Sequence, residues 1–233
     1  MKLHRFYIKN NLNIGVMELT ERGFVNQIKN VLKLRVGEGL ILFNGSELEA
    51  KAKIKEITSK KIELEIESIY KNECEPKNNV CVYLAILKKE NFELATQKAV
   101  ECGVMEITPV RTERTVKLNL NKERIEKIIK EATEQSGRSI LPKLNNVIQL
   151  REFLPKKDEL NLFLDAGGEN INEINLSDFR KINLLIGPEG GWSEDEINFA
   201  TRNGFTKTSL GKTTLRAETA AIVASYLATR LII

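Results

Sequence analysis

The sequence predicts an α/β protein in two parts: a mostly β N-terminal domain, then a larger domain of alternating strands and helices. Three observations carry this. Period-two alternation of apolar residues is confined to the first 72 residues. After residue 79 the pattern switches to strand-length apolar runs separated by helix-length segments. Between them lies Lys71-Asn72-Glu73-Cys74-Glu75-Pro76-Lys77-Asn78-Asn79, polar, aperiodic and interrupted by proline. Period two marks strands wet on one face, and strand–helix alternation implies a parallel sheet with helices on its faces. The boundaries read as a first domain at 1–72, a linker at 73–79 and a second domain at 80–233.

In the first domain, Thr20 to Leu34 predicts a helix with Thr20 as N-cap and Gly37 soon after its end. The apolar run Leu40-Ile41-Leu42-Phe43 meets Asn44-Gly45, a pair favoured in type I′ hairpin turns because both central positions need positive φ. Next, Ala50, Ala52 and Ile54 alternate with Lys51, Lys53 and Lys55, and Ile62, Leu64 and Ile66 with Glu63, Glu65 and Glu67. The lysine row could meet a polyanion. The preferred reading is cross-strand pairing with the glutamates, at ~0.2–1 kcal/mol per pair.

In the second domain, strands are expected at Val80–Leu87, Met105–Val110, Leu160–Asp165, Leu184–Ile186 and Thr206–Leu210. Helices are expected at Asn91–Cys102 (ending at Gly103), Asn121–Ser136 (ending at Gly137), Ser193–Asn203 and Ala217–Ile233. The last is apolar almost all round, and such a helix must be buried. One side can face its own sheet. The other calls for a cover, which a homodimer would supply; burial within a monomer is the alternative.

Composition narrows the function. No apolar run approaches the ~20 residues of a membrane-spanning helix, and the N-terminus lacks a signal-peptide core, so a cytoplasmic location is expected. Cys74, Cys81 and Cys102 form no CxxC pair and read as reduced thiols. His4 is the only histidine, which excludes HExxH metal sites; no metal is expected. Residues 1–72 carry 13 basic and 9 acidic side chains, and the remainder 23 of each. The basic surplus therefore lies in the first domain, a mild sign of a polyanionic partner.

The richest stretch is Leu184-Leu185-Ile186-Gly187-Pro188-Glu189-Gly190-Gly191-Trp192-Ser193-Glu194-Asp195-Glu196. A buried strand enters a glycine loop, and Ser193 with Glu196 forms a capping box that starts a helix. Such loops at the C-terminal ends of parallel strands are where open α/β sheets bind ligands. The spacing is not the G-x-G-x-x-G of dinucleotide folds, and the nearby acids would repel a polyphosphate. A ligand with a positive centre, such as a sulfonium, suits it better. The second stretch is Ser209-Leu210-Gly211-Lys212-Thr213-Thr214-Leu215-Arg216-Ala217-Glu218-Thr219. Gly211-Lys212-Thr213 imitates the end of a P-loop, but the earlier glycine is replaced by Thr206, so a P-loop is rejected.

Together these stretches resemble the SPOUT class of RNA methyltransferases, above all the bacterial 16S rRNA uracil-N3 methyltransferase family. The matching text is Ile186-Gly187-Pro188-Glu189-Gly190-Gly191 with Glu196, then Leu210-Gly211, Leu215-Arg216 and Glu218-Thr219. His4-Arg5-Phe6, Gln97-Lys98, Glu101, Gly103, Ile107-Thr108-Pro109, Glu113-Arg114, Glu134-Gln135-Ser136 and Arg138 agree as well. Lys88-Lys89-Glu90-Asn91-Phe92 is only a loose version of the family's segment, which puts substrate contacts there in doubt.

The resemblance implies an N-terminal PUA-like β-barrel that binds RNA, and a C-terminal SPOUT domain with a trefoil knot. It also implies a homodimer, S-adenosylmethionine as cofactor and a uridine in the decoding region of the small-subunit RNA as target. Cofactor contacts are then expected from Leu164, Ile186, Gly187, Pro188, Glu189, Gly190, Gly191, Leu210, Gly211, Leu215 and Thr219. Arg216 and Glu218 are the catalytic candidates. RNA contacts are expected from Arg5, Arg35, Arg111, Arg114, Lys117, Arg138 and Lys143. A related enzyme acting on ribose 2′-oxygen or another base, and an RNA-binding module without catalysis, are the rival readings.

Overall fold

A computed structural model describes residues 3–115 and 119–230. The chain divides into two compact units. The first is Met1–Glu75 plus Gly137–Leu141; the second is Pro76–Ser136 plus Pro142–Ile233.

The first unit contains β1 (His4–Tyr7), β2 (Gly15–Leu19), α1 (Arg22–Asn26), β3 (Gly39–Phe43), β4 (Leu48–Ile57) and β5 (Ile62–Lys71). The sheet order is β1-β3-β4-β5-β2, with β1 parallel to β3 and the other pairs antiparallel. Ala50, Ala52, Ile54, Ile62, Leu64 and Ile66 point inward onto Phe6, Phe24 and Ile28. Phe6 and Phe24 meet edge-on with ring centroids 5.3 Å apart. The lysines face out and pair across the β4–β5 ladder, Lys55 with Glu65 at 2.7 Å and Lys51 with Glu67 at 3.6 Å. Pairs this exposed are screened by solvent and add little to stability.

Two local expectations are corrected. Glu21, not Thr20, caps the helix, which runs as α1 and then widens into a π-helical turn at Gln27–Val31. The hairpin after Phe43 is not type I′. Gly45 takes φ 87°, but Asn44 keeps a negative φ and its side chain accepts hydrogen bonds from Ser46 N (3.3 Å) and Oγ (2.7 Å). An Asx turn replaces the primed one.

The segment Gly137–Leu141 joins this unit through polar contacts. The Glu75 carboxylate accepts from the Arg138 guanidinium (2.9 and 3.1 Å) and from Ser139 N and Ile140 N (both 2.8 Å). Asn72 donates to Gly137 O at 2.9 Å and to Glu49, which also pairs with Arg5. The first half of the expected linker is thus pinned by Glu75.

The second unit contains β6 (Asn79–Ala85), α2 (Lys89–Cys102), β7 (Glu106–Arg111), α3 (Lys122–Ser136), β8 (Lys143–Leu144), β9 (Ile148–Gln149), β10 (Leu160–Asn170), β11 (Lys181–Ile186), α4 (Glu194–Arg202), β12 (Thr206–Ser209) and α5 (Ala217–Arg230). Every ladder is parallel, in the order β12-β10-β11-β6-β7-β8, with β9 also on β7. Gly103 (φ 106°) and Gly137 (φ 87°) end α2 and α3 as expected. The two-residue strands β8 and β9 are too short for periodicity to announce them.

β10 outruns its expected end because a bulge between Leu164 and Glu169 lets it rejoin β12. Gly168 makes this possible, since a Cβ there would lie 2.3 Å from Thr208 N. α5 packs one face on α2, β6 and β11. Its other face keeps Ile222, Val223 and Leu227 half-buried and Tyr226 52% exposed. Leu231, Ile232 and Ile233 lie outside the described residues.

Candidate functional site

β10, β11 and β12 are neighbours, and the bulge in β10 and the loops leaving β11 and β12 line one cavity of about 730 Å³. This is the place where an open parallel sheet offers its ligand site. Leu164, Ile186, Gly187, Pro188, Glu189, Gly191, Leu210, Gly211, Leu215, Arg216 and Glu218 all line it. Gly190 and Thr219 are the sequence candidates outside its lining; each is flanked by residues that do line it.

The loop after β11 is fixed from several sides. Trp192 is buried, donates its indole N–H to Leu164 O at 2.8 Å and stacks on Phe163 with centroids 4.3 Å apart. Gly187 lets the indole approach, because a Cβ there would meet the ring at 2.9 Å. Gly191 N donates to Pro188 O at 2.9 Å, closing a turn. Ser193 and Glu196 form the expected capping box. Glu196 also accepts Glu113 N at 2.9 Å, so this acid serves the cap and the segment after β7 and does not line the cavity.

Glu189 Oε1 accepts from Lys88 N and from the Asn91 amide, both at 3.2 Å. Burial pushes its carboxyl up, but hydrogen bonds from its own N–H, Lys88 N–H and Asn91 outweigh this and hold it below the ordinary carboxylate range. It is therefore anionic at neutral pH. Glu218, in the first turn of α5, is 7% exposed, and its Oε2 is buried without a hydrogen-bond partner. A buried polar atom left unpaired costs roughly 1–3 kcal/mol unless something fills the need. Three acidic residues, Asp165, Glu189 and Glu218, line the cavity with two basic ones, Lys88 and Arg216, and the anionic Glu189 makes a guest with a positive centre suitable there.

Sequence reasoning missed part of this wall. Lys88 and Asn91 line the cavity although their motif is a loose match, and Asp165, Trp192, Thr208 and Ser209 join them. Asp165 also pairs with Lys207 at 3.0 Å. The strand ends were visible in the pattern, but the bulge that brings Asp165 round was not.

The expected RNA contacts divide. Arg138 is 3% exposed and committed to Glu75; Arg5 is nearly as buried and committed to Glu49. Both guanidiniums are engaged in internal ion pairs, and breaking either would leave its carboxylate partner without that cation. Arg35, Arg111, Arg114 and Lys143 are exposed. Lys117 lies outside the described residues. Among the described residues no group of His, Cys, Asp and Glu could hold a metal, and no helix is long and apolar enough to cross a membrane. Burial pushes the Cys81 thiol up to about 12, so it is not a nucleophile at neutral pH.

Comparison with known proteins bears on this geometry. A family model described as an RNA methyltransferase domain matches residues 73–229, and one described as an RNA methyltransferase PUA domain matches residues 28–67. A ribosomal RNA small subunit methyltransferase E of Rickettsia conorii is 34% identical over 231 residues, covering 96% of this chain and 94% of its own. That of Bacillus subtilis is 30% identical, covering 86% and 84%. The crystal structure of the Neisseria gonorrhoeae enzyme of the same name, bound to S-adenosyl methionine, superposes with a TM-score of 0.93 at 30% identity, covering 99% of this chain and 98% of that one.

Proposed function

The chain belongs to the ribosomal RNA small subunit methyltransferase E family, and on that premise we propose that it uses S-adenosylmethionine to methylate N3 of a uridine in the decoding region of 16S rRNA. The observation that carries the reading is the unpartnered Oε2 of Glu218, a residue lining a cavity built by the β10 bulge and the loops after β11 and β12.

The residues present fit the cofactor. Leu164, Ile186 and the loop from Gly187 to Gly191 would hold it with Leu210, Gly211 and Leu215; Glu189 and Glu218 balance its positive charge. When bound, it supplies an electrophilic methyl group on a sulfonium. Uracil N3 carries a proton that must leave before the nitrogen pair can form the new bond to the methyl carbon; the bond broken would be that carbon's bond to sulfur, which would leave as a neutral thioether. Glu218 accepts that proton, and Arg216, exposed at the rim, stabilises the negative charge left on the ring. Base assistance of this kind is worth ~10²–10⁴-fold. Holding donor and acceptor in line supplies a further ~7–11 kcal/mol.

The reading extends to the partners. Arg35, Arg111, Arg114 and Lys143 contact phosphates, each adding a log–log salt slope near −0.7 on single-stranded RNA. The half-exposed face of α5 meets its copy in a homodimer, the cofactor loops are threaded in a trefoil knot, and the reaction takes place in the cytoplasm. The decisive experiment incubates the protein and cofactor with small subunits lacking the mark, followed by reverse transcription. N3-methyluridine blocks base pairing and stops the transcriptase at one site. A trace without stops, with label on ribose, transfers the assignment to 2′-oxygen chemistry.

A further inference from the structure

We propose that Arg114 is a positioning residue for the cofactor loop, a clamp fixing the peptide between Gly190 and Gly191. The inference rests on the reading of the cavity as the cofactor site. It gives Arg114 a task that exposure and charge alone do not suggest.

Three contacts carry it. Arg114 Nη1 donates to Gly190 O at 2.9 Å. Gly191 N, the other end of the same peptide, donates to Pro188 O at 2.9 Å. This peptide is therefore held at both poles, and its plane cannot rotate without breaking a bond. The arginine stem also lies against Gly190, where an added Cβ would come within 3.4 Å of Arg114 Cβ and 3.5 Å of Cδ.

The clamp stands on a firm base. Thr112 N donates to Thr115 Oγ1 at 2.9 Å, and Thr115 N to Thr112 O at 3.2 Å, so residues 112–115 form a closed turn. Next to Arg114, Glu113 N donates to Glu196 Oε1 at 2.9 Å, and Glu196 Oε2 accepts Ser193 N at 2.9 Å. A single buried carboxylate thus bolts this turn to the start of α4, directly after the cofactor loop. On the opposite side, Glu189 reaches Lys88 and Asn91. The loop is gripped from two sides, and Arg114 is the cationic grip. A charged donor to a carbonyl outweighs a neutral one, and the planar guanidinium leaves further N–H groups for a second partner such as an RNA phosphate.

The test uses the full chain as wild type, Arg114→Ala and Arg114→Lys. S-adenosylmethionine is titrated calorimetrically without RNA, RNA affinity is measured across salt, and exchange of the Gly191 amide is followed. Arg114→Ala should weaken cofactor binding on the order of three- to tenfold with no RNA present, and speed Gly191 exchange by a similar factor. Arg114→Lys should restore the RNA salt slope but not the cofactor affinity, because an ammonium lacks the planar fork. Unchanged cofactor affinity in Arg114→Ala, with only a shallower salt slope, overturns the clamp in favour of a phosphate contact. Full recovery of cofactor affinity by lysine overturns it too. If the wild type itself takes up no cofactor, the cofactor reading fails separately; Gly191 exchange then judges the clamp, and an unchanged rate in Arg114→Ala overturns it.

Discussion

The two loops that close the cavity are held very differently. Residues 187–192 are tied by the Trp192 indole to Leu164, by Glu189 to α2 and by Gly190 to Arg114. Among the described residues, 211–216 show no such ties. Lys212, Thr213, Thr214 and Arg216 are exposed, and among the described residues no side chain in 211–216 takes part in a hydrogen bond or ion pair. One wall is set by side-chain contacts before any ligand arrives; adjustment of the other on binding is an expectation that hydrogen exchange tests. A preset wall lowers the ordering cost of binding, while an adjustable wall suits an acceptor that must enter and leave. Catalytic candidates Arg216 and Glu218 sit where the adjustable wall gives way to α5.

The largest effect should come from that junction. Glu218→Gln is expected to slow methyl transfer by ~10²–10⁴-fold. The same change should leave the thermal midpoint of the ligand-free protein about unchanged, because the amide leaves one buried polar atom unpaired just as the carboxyl does. Single-turnover label transfer and calorimetric melting check the two halves, and near-wild-type transfer would remove Glu218 from the chemistry. Gly187→Ala tests the preset wall. Its Cβ must displace the Trp192 ring, so a loss of ~1–3 kcal/mol in denaturant unfolding is expected, with weaker cofactor binding.

Hydrogen exchange sharpens the contrast more gently. Saturating cofactor should slow amides in 211–216 by roughly tenfold and those in 187–192 by much less. Equal protection of both loops would dissolve the distinction. The smallest effect concerns acidity. The Glu189 carboxyl is held below its ordinary range, so its tie to Lys88 and Asn91 is intact above that range and is lost as pH falls through the lowered value. Cofactor affinity should be flat near neutrality and decline in acid, and Glu189→Gln should flatten the acid limb at a cost of about two- to fivefold near neutrality.

Features governed by near neighbours in sequence were legible. The Ser193–Glu196 capping box, the glycine ends of α2 and α3 and the inward row from Ala50 to Ile54 need only a few adjacent residues to specify them. The cavity's strand-end walls followed from the same logic. What stayed hidden depends on distant partners. Arg5 and Arg138 look like any exposed cation until Glu49 and Glu75 are brought beside them. Arg114 meets Gly190 across 76 positions of chain. Asn44-Gly45 fits more than one turn, and the Asn44 side chain's bonds to Ser46 decide between them.

The stitching of Gly137–Leu141 into the N-terminal unit bears on how the polypeptide emerges from the ribosome. The final piece of that unit is synthesised about sixty residues after Glu75. At ~5–20 residues per second, this leaves roughly 3–12 s in which the Glu75 carboxylate awaits Arg138, Ser139 and Ile140, still to be translated. A fragment cut after residue 75 would remain permanently in that condition, so the first unit is a product of the whole chain and not of its opening third.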